Sequence, residues 1–216
     1  ISGIGKINSA LSVADIFYRL KQDFNNVWIN IGIAGHKICQ IGKLLAVNKI
    51  TDYESEKCFY PFFLKDVNIS KENCITFSKP NYNYSNILYD MEASGFFLAA
   101  NKFSTKELIH SLKIVSDNES LSSQTFNKEE IKELIRANID EILDFLEIIE
   151  STWNNFFLQK NKIEQKIKND LSKFRKTFSE ENQLYSLLKI LYNSPLENKD
   201  VLDFSSSVKK NIINIK

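Results

Sequence analysis

Two carboxylate side chains near the middle of the chain have types and surroundings that suit group-transfer chemistry. Glu92 lies in the run Asp90-Met91-Glu92, and Asp117 follows Ser116 after an apolar segment. Breaking a bond between a sugar and a base creates positive charge on the sugar, and nearby negative charge stabilises it. The departing base must also be neutralised, and a desolvated carboxylic acid can do this as a general acid. The pair therefore indicates a candidate site for ribosyl transfer.

The elements that must position these carboxylates are predicted by the apolar pattern around them. Leu112–Val115 predicts a short buried strand, and Asp117 follows at its carboxyl end, which is where ligands bind in open α/β sheets. Met91–Ala100 predicts a buried helix that follows a strand at Ile87–Tyr89. Glu92 would begin that helix, where the helix dipole favours an ionised carboxylate. Asp117, beside apolar neighbours, would be held protonated instead.

Four short segments, taken in order, resemble the signatures of a known family. They are Ser2–Ala10, Asn30–Gly35, Asp90–Glu92 and Ser116–Asp117. In this order they are similar to the nucleoside phosphorylase and nucleosidase superfamily, which includes purine and uridine phosphorylases, methylthioadenosine/S-adenosylhomocysteine nucleosidase and futalosine hydrolase. The resemblance covers residues 1–150. It implies a three-layer αβα domain with a mixed central sheet, here lacking the N-terminal strand region.

The resemblance also implies a role for each matching residue. Glu92 would bind the ribose hydroxyls and Met91 would pack on the face of the sugar. Asp117 would protonate a purine ring nitrogen as the glycosidic bond breaks, and Ser116 would orient Asp117. No cofactor is implied, and the expected small-molecule partner is a nucleoside.

The Asn30–Gly35 segment, in which glycines follow or interrupt a strand-like run, supplies further candidate substrate-binding residues: Gly32, Ala34 and Gly35. Glycines at such positions let the backbone approach a ligand, but they also serve in tight turns between a strand and a helix. Phe77 follows another predicted strand, at the place where the family stacks an aromatic ring on the base. Packing of Phe77 in the core remains an equal alternative.

Two departures from the family pattern bear on the nucleophile. Phosphorylases carry an arginine where this chain has Asn30, and a phosphate oxyanion would want a bidentate guanidinium. Water is therefore the expected nucleophile. As part of this first departure, Ile33 replaces a serine that is common in the same turn, so one hydroxyl is missing there.

The second departure concerns the beginning of the chain. Ile1 falls inside what resembles the family's third or fourth strand, so the opening strand and the glutamate that normally activates water are not in this sequence. Glu54 and Glu56 are candidate replacements. The alternative for both is a solvated loop.

The composition is that of an ordinary globular protein and excludes several function classes. Of 216 residues, 43% are hydrophobic and 25% are charged, and the formal net charge is +1, which disfavours a general nucleic-acid surface. No apolar run is long enough to predict a membrane span. Three cysteines without paired spacing and two histidines predict no metal site. Free thiols indicate a cytoplasmic protein.

The second half of the chain is predicted to be helical, because everything after Asn118 lacks glycine. The domain assignment is residues 1–150 for the α/β domain and residues 151–216 for a helical extension. In the α/β domain's closing helix we predict a capping box at Asn127. Within the extension we predict an apolar stripe from Trp153 to Phe174, a helix that starts at Ser179, and a last helix from Pro195 to Lys216. We expect the extension to pack on the α/β body or on a second subunit in a homodimer.

Together these observations favour a nucleosidase-like N-glycosidase that hydrolyses a purine nucleoside or a related compound. The main alternative is a catalytically impaired protein of the same superfamily that binds a nucleoside or uses its helical region for interactions. Phosphorolysis is a third alternative, which Asn30 disfavours.

Overall fold

The computed structural model describes residues 2–20, 26–120, 128–173 and 177–193. It divides into two compact units, Ile1–Thr152 and Trp153–Lys216. The first is a mixed α/β domain and the second is helical, which confirms the predicted fold class. The predicted cap at Asn127, the stripe end at Phe174 and the helix from Pro195 to Lys216 lie outside the described residues.

The described elements follow one another along the chain in a fixed order. They are α1 (Lys6–Arg19), β1 (Trp28–Gly35), β2 (Leu44–Asp52), β3 (Cys58–Phe59), β4 (Lys71–Thr76), β5 (Leu88–Asp90), α2 (Ala93–Ala100), a short 3₁₀ turn (Lys106–Leu108), β6 (Ile109–Asp117), α3 (Lys128–Ala137), α4 (Ile139–Ser172) and α5 (Phe178–Asn193).

The strands form one mixed sheet that curls back on itself. Its order is β3-β2-β4-β5-β1-β6, and β2 also pairs with β6. This is possible because β2 is long: Leu44 to Ala46 pair antiparallel with β6, while Ala46 to Asp52 pair parallel with β4. The β1–β6 and β4–β5 pairs are parallel, and β1–β5 is antiparallel. β1 therefore lies between β5 and β6.

Helices cover both faces of the sheet, which gives the three predicted layers. On one face α2 packs on the strands, and the core there includes Leu45, Val47, Val115 and Phe97. On the other face the first part of α4 packs through Ile142, Phe145 and Ile149 on strand residues such as Leu112 and Ile114. Alternation of side chains along each strand sends successive residues to opposite cores.

Helix α2 is short, and α1 approaches it very closely. Six of its eight residues are buried, and its sequence consists mostly of Ala, Gly and Phe, so nearly all of its surface can face other parts of the protein. A Cβ added to Gly95 would lie 2.2 Å from the backbone oxygen of Lys6, so a larger residue cannot stand there while α1 keeps its place. This contact fixes the start of α1 beside α2.

In the described part of the helical unit, the buried side chains lie near the end of α4. Ile167 and Leu171 are buried, whereas Phe156 in the same predicted stripe is 46% exposed. α5 begins at Phe178, one residue before the predicted start, because Thr177 rather than Ser179 makes the cap. Thr177 N–H donates to Glu180 Oε2 at 2.8 Å, and Glu180 N–H points back to Thr177 Oγ1 at 3.5 Å. Among the helices that the structure describes, none has the length and apolar character needed to cross a bilayer.

Candidate active site

The strand register brings the candidate carboxylates to one end of β1. Gly35, the last residue of β1, pairs with Tyr89 of β5 on one side and with Asp117 of β6 on the other. Two strand spacings separate the backbones of Tyr89 and Asp117, which is about 10 Å. Glu92 follows three residues after Tyr89. A register shift between Ala34 and Gly35 turns the chain at this point, as bulges commonly do beside sites.

Both carboxylate oxygens of Asp117 already accept hydrogen bonds. Ser116 Oγ donates to Oδ1 at 2.5 Å, and the Tyr84 hydroxyl donates to Oδ2. The backbone oxygen of Asp117 accepts from the His36 N–H at 3.0 Å. Asp117 is 4% exposed. Ser116 and Tyr84 therefore both hold its side chain, and the sequence did not indicate Tyr84.

Aromatic rings form a row along the ends of the strands. The rings of Tyr53 and Phe77 lie 4.5 Å apart, those of Phe77 and Tyr89 lie 5.0 Å apart and are stacked, and Tyr84 meets Tyr89 edge to face at 5.4 Å. Phe77 is buried between its two neighbours. A Cβ added to Gly35 would lie 2.5 Å from the Tyr84 ring, so the space that Gly35 leaves open is filled by that ring.

Glu92 stands just before α2, as predicted, but it does not cap the helix with its side chain. Its Oε1 instead accepts the backbone N–H of Gly5 at 2.8 Å, across from the start of α1. The cap is made by Asp90, whose Oδ2 accepts the N–H of Ala93 at 2.8 Å and that of Glu92 at 3.3 Å. Met91, between the two acids, is half-buried.

Asp90 also forms a buried ion pair across β1. Lys113 Nζ lies 2.7 Å from Asp90 Oδ2, and the side chains are 1% and 0% exposed. Lys113 is directly opposite Gly32 in the register, and a Cβ on Gly32 would lie 3.2 Å from Nζ. Gly32 therefore leaves room for Lys113 to reach β5, while Ala34, two residues on, is packed in the core beneath α2.

The ion pair governs the protonation of both partners. Burial alone would raise the pKa of Asp90 and lower that of Lys113. Their mutual attraction, with a hydrogen bond from Thr76 Oγ1 to Asp90 Oδ1 at 2.7 Å, outweighs this effect. The pKa of Asp90 is therefore lowered and that of Lys113 is raised, so both groups are charged at neutral pH.

A second polar network ties α1 to α2 from the β2 side. Lys6 Nζ lies 2.8 Å from Asp52 Oδ2 and 2.5 Å from Glu54 Oε2, and Ser94 Oγ donates to Asp52 Oδ2 at 2.7 Å. Burial would raise the pKa of Asp52, but these hydrogen bonds lower it overall. Glu54, a candidate for activating water, is thus paired with a lysine. Glu56, the other candidate, is exposed in a turn with a positive φ of 57°.

His36 is positioned by its own loop. Its Nδ1 accepts the backbone N–H groups of Ile38 at 3.2 Å and Cys39 at 3.0 Å. In the neutral ring the proton therefore lies on Nε2, which is 4.0 Å from Glu72 Oε2. Burial, the largest effect, lowers the pKa of His36. The imidazole organises the turn after Gly35.

The position of Asn30 is polar but carries no charge. Its Nδ2 is buried without a hydrogen-bond partner, and so is the Oγ of Ser111, with which Asn30 is in register on β6. The nearby ammonium of Lys113 is neutralised by Asp90. In the described part of the chain, no group of three or more His, Cys, Asp or Glu side chains could hold a metal ion.

Three residues of this region were not found as candidates from the sequence: Asp90, Lys113 and Tyr84. A signal existed for Lys113, because a lysine between Leu112 and Ile114 in a buried strand requires a counter-ion. Asp90 opens the Asp90-Met91-Glu92 motif, but nothing in the local pattern pairs it with Lys113. Tyr84 lies in a polar loop, and nothing in the local pattern predicts that it reaches Asp117.

Comparison with known proteins identifies the fold. No family model matches the chain, and no curated protein matches it by sequence. Solved structures do match. A 5'-methylthioadenosine/S-adenosylhomocysteine nucleosidase from Colwellia psychrerythraea, in complex with adenine, is 18% identical with a TM-score of 0.54, over 68% of this chain and 76% of that one.

Two further nucleosidases of the same description give similar values. The structure from S. pneumoniae, with a transition-state inhibitor, is 19% identical with a TM-score of 0.52, over 68% of this chain and 79% of that one. The structure from Campylobacter jejuni is 19% identical with a TM-score of 0.53, over 69% and 79%. The chain thus has the nucleosidase-like fold that its sequence motifs indicated.

Proposed function

We propose that this protein is a nucleoside N-glycosidase that hydrolyses the glycosidic bond of a purine nucleoside or a related compound. The observation that carries the proposal is the register at the end of β1, where Gly35 lies between Tyr89 and Asp117, with Glu92 at the start of the adjacent helix. An acid at the end of β6 and a second carboxylate just after β5, on either side of β1, suit the two ends of one nucleoside.

In the proposed reaction, water adds to the anomeric carbon of the sugar as the bond to the base nitrogen breaks, and the proton that this water loses passes through solvent and restores the acid form of Asp117. The electron pair of the broken bond goes to the base. Asp117 delivers a proton to the leaving base and so neutralises the negative charge that develops on it. Glu92 accepts hydrogen bonds from the ribose hydroxyls and stabilises the positively charged sugar. The Gly5 N–H holds one Glu92 oxygen and so orients the other. Met91 packs on the face of the sugar.

Water rather than phosphate is the proposed nucleophile. A phosphate anion needs a cation that is free to bind it, preferably a guanidinium. Asn30 supplies a neutral amide, and Lys113, the buried ammonium next to it, is committed to Asp90. A dianion brought to this place would compete with Asp90 for Lys113.

The direct test is incubation of the full-length gene product with a panel of purine nucleosides, with and without orthophosphate, followed by chromatography of the free base. We expect base release that does not depend on phosphate. Asp117→Asn should abolish most of it, while the control Glu119→Gln, a nearby exposed acid, should not. Absence of base release from every nucleoside would refute the proposed hydrolysis.

The second candidate function is nucleoside binding without turnover. It is favoured by the contacts already made inside the site, because Tyr84 and Gly5 occupy oxygens of Asp117 and Glu92. Calorimetric titration distinguishes the two: adenine binding without release of base from any nucleoside would support this alternative.

We further propose that the protein forms a homodimer in the cytoplasm. Three free cysteines fit a reducing compartment.

On α1, the exposed side chains of Ile7, Leu11 and Tyr18 share one face of the helix, which suits a second copy of the same face. Leu11→Glu should convert the dimer to a monomer in light scattering, whereas Ile38→Glu, on an exposed loop, should not.

A further inference from the structure

The loop between β4 and β5 lies over the candidate site and is attached to it at two points. Near its start, the Ser78 N–H donates to Glu54 Oε1 at 2.8 Å, and near its end the Ser85 carbonyl accepts the Lys37 N–H at 3.2 Å. Lys37 follows shortly after Gly35 at the end of β1. Tyr84 precedes Ser85, so the second attachment holds its ring over that strand end.

The Tyr84 ring makes the contacts that a purine would need. It lies against Gly35, where a Cβ would be 2.5 Å from the ring, and its hydroxyl donates to Asp117 Oδ2. Its edge meets the ring of Tyr89, which is itself stacked on Phe77. A flat ring, a close approach to backbone, an aromatic wall and a hydrogen bond to the acid are the features expected for a bound base.

We propose that Tyr84 occupies the base subsite of this protein and must swing out before a purine can enter, so that the side chain acts as an intramolecular competitor of the base. This inference rests on the proposed function, since it identifies the same strand end as the place of the base. It adds a gating residue that the proposed chemistry does not require.

The hydrogen bonds on Asp117 show which contact must open. A base nitrogen needs one of the two carboxylate oxygens. Ser116 is the neighbouring residue on β6, buried in the sheet, so its hydrogen bond to Oδ1 is fixed by the strand. Tyr84 is only half-buried and comes from a loop, so Oδ2 is the oxygen that can be released.

Competition of this kind lowers the apparent affinity for the base by the fraction of molecules in which the site is open. A hydrogen bond to a carboxylate together with the ring contacts would keep that fraction at or below about one tenth. Removing the side chain should restore the intrinsic affinity.

The first experiment is calorimetric titration of the full chain with adenine. We expect Tyr84→Ala to bind adenine about tenfold more tightly than the unaltered protein, and Tyr84→Phe, which keeps the ring but not the hydroxyl, to fall between them. Tyr60→Ala removes an exposed tyrosine elsewhere and should change nothing. Equal or weaker binding by Tyr84→Ala would show that Tyr84 supports the base rather than excludes it.

The second experiment follows the tyrosine itself. Acetylation of Tyr84 by N-acetylimidazole, read by peptide mass spectrometry, should be slow in the unaltered protein and faster when adenine is added. Gly35→Ala places a methyl group in the space of the ring and should speed the acetylation without any ligand. Protection of Tyr84 by adenine would overturn the proposal.

The two experiments separate failure of this inference from failure of the proposed function. If the unaltered protein binds adenine and Tyr84→Ala binds no more tightly, only the gating proposal is wrong. If no variant binds adenine and none releases base from a nucleoside, the strand end is not a base site and both proposals fall.

Discussion

Replacing Lys113 by methionine would leave the carboxylate of Asp90 buried without its counter-ion. The two side chains are 1% and 0% exposed and their charged atoms are 2.7 Å apart, so water cannot substitute for the lost ammonium. Asp90 also caps α2 and precedes Glu92. The substitution therefore tests whether this ion pair supports the start of the helix that carries the candidate sugar-binding residue.

The expected loss of unfolding free energy is about 3–5 kcal/mol, which is typical when one partner of a buried pair is removed. This is a large part of the roughly 5–15 kcal/mol that stabilises an ordinary domain. Asp90→Asn in the same chain removes the orphaned charge, so the double variant should be at least about 2 kcal/mol more stable than the sum of the single losses predicts. The control Lys132→Met, whose partner Glu129 is exposed, should cost less than about 1 kcal/mol.

The assay is urea unfolding followed by tryptophan fluorescence. The chain has two tryptophans, so a Trp153→Phe background leaves Trp28 as the reporter. Trp28 is buried on β1 and reports on the α/β unit alone. The claim that the ion pair supports this part of the sheet would be refuted by either of two results. One is a loss of unfolding free energy below about 1 kcal/mol for Lys113→Met. The other is that Lys113→Met costs as much unfolding free energy in the Asp90→Asn background as it does in the unaltered protein.

The dependence on pH follows from the direction of the pKa shift. The folded pKa of Asp90 is lowered, so its contribution to stability is present above the unfolded pKa of about 4 and is lost as the pH falls through the folded value. In Lys113→Met, burial without a counter-ion raises the pKa of Asp90 instead. The difference between this variant and the unaltered protein should therefore be greatest at neutral pH and shrink below about pH 4.

Three further results are expected. Asp117→Asn should lower kcat by about 10²–10⁴ and change the Kd for adenine much less, because an amide can hydrogen-bond the base but cannot deliver a proton; equal losses in both would indicate a structural role. Orthophosphate should not accelerate base release, given the neutral Asn30, and a ribose 1-phosphate product would contradict this. Ile167→Ala should destabilise the helical unit by about 2–5 kcal/mol in melting experiments, whereas Phe156→Ala, at a 46% exposed position, should stay within about 0.5 kcal/mol.

Local pattern determined the elements that carry the candidate site. The apolar run around Leu112 predicted a strand, and β6 is longer than predicted, at Ile109–Asp117, with every residue buried. The small and aromatic residues after Met91 predicted α2, which begins at Ala93 with Glu92 just before it. These predictions succeeded because strand and helix formation depends on neighbours a few residues away.

The tertiary structure alone decided what surrounds those residues. Lys113 and Asp90 are on strands separated by β1, and their pairing depends on the register and on the absence of a side chain at Gly32. Tyr84 reaches Asp117 from a loop 33 residues away in the chain. Such contacts are set by how strands align across the sheet. A single sequence shows which side chains need a partner, and only the folded chain shows which partner they find.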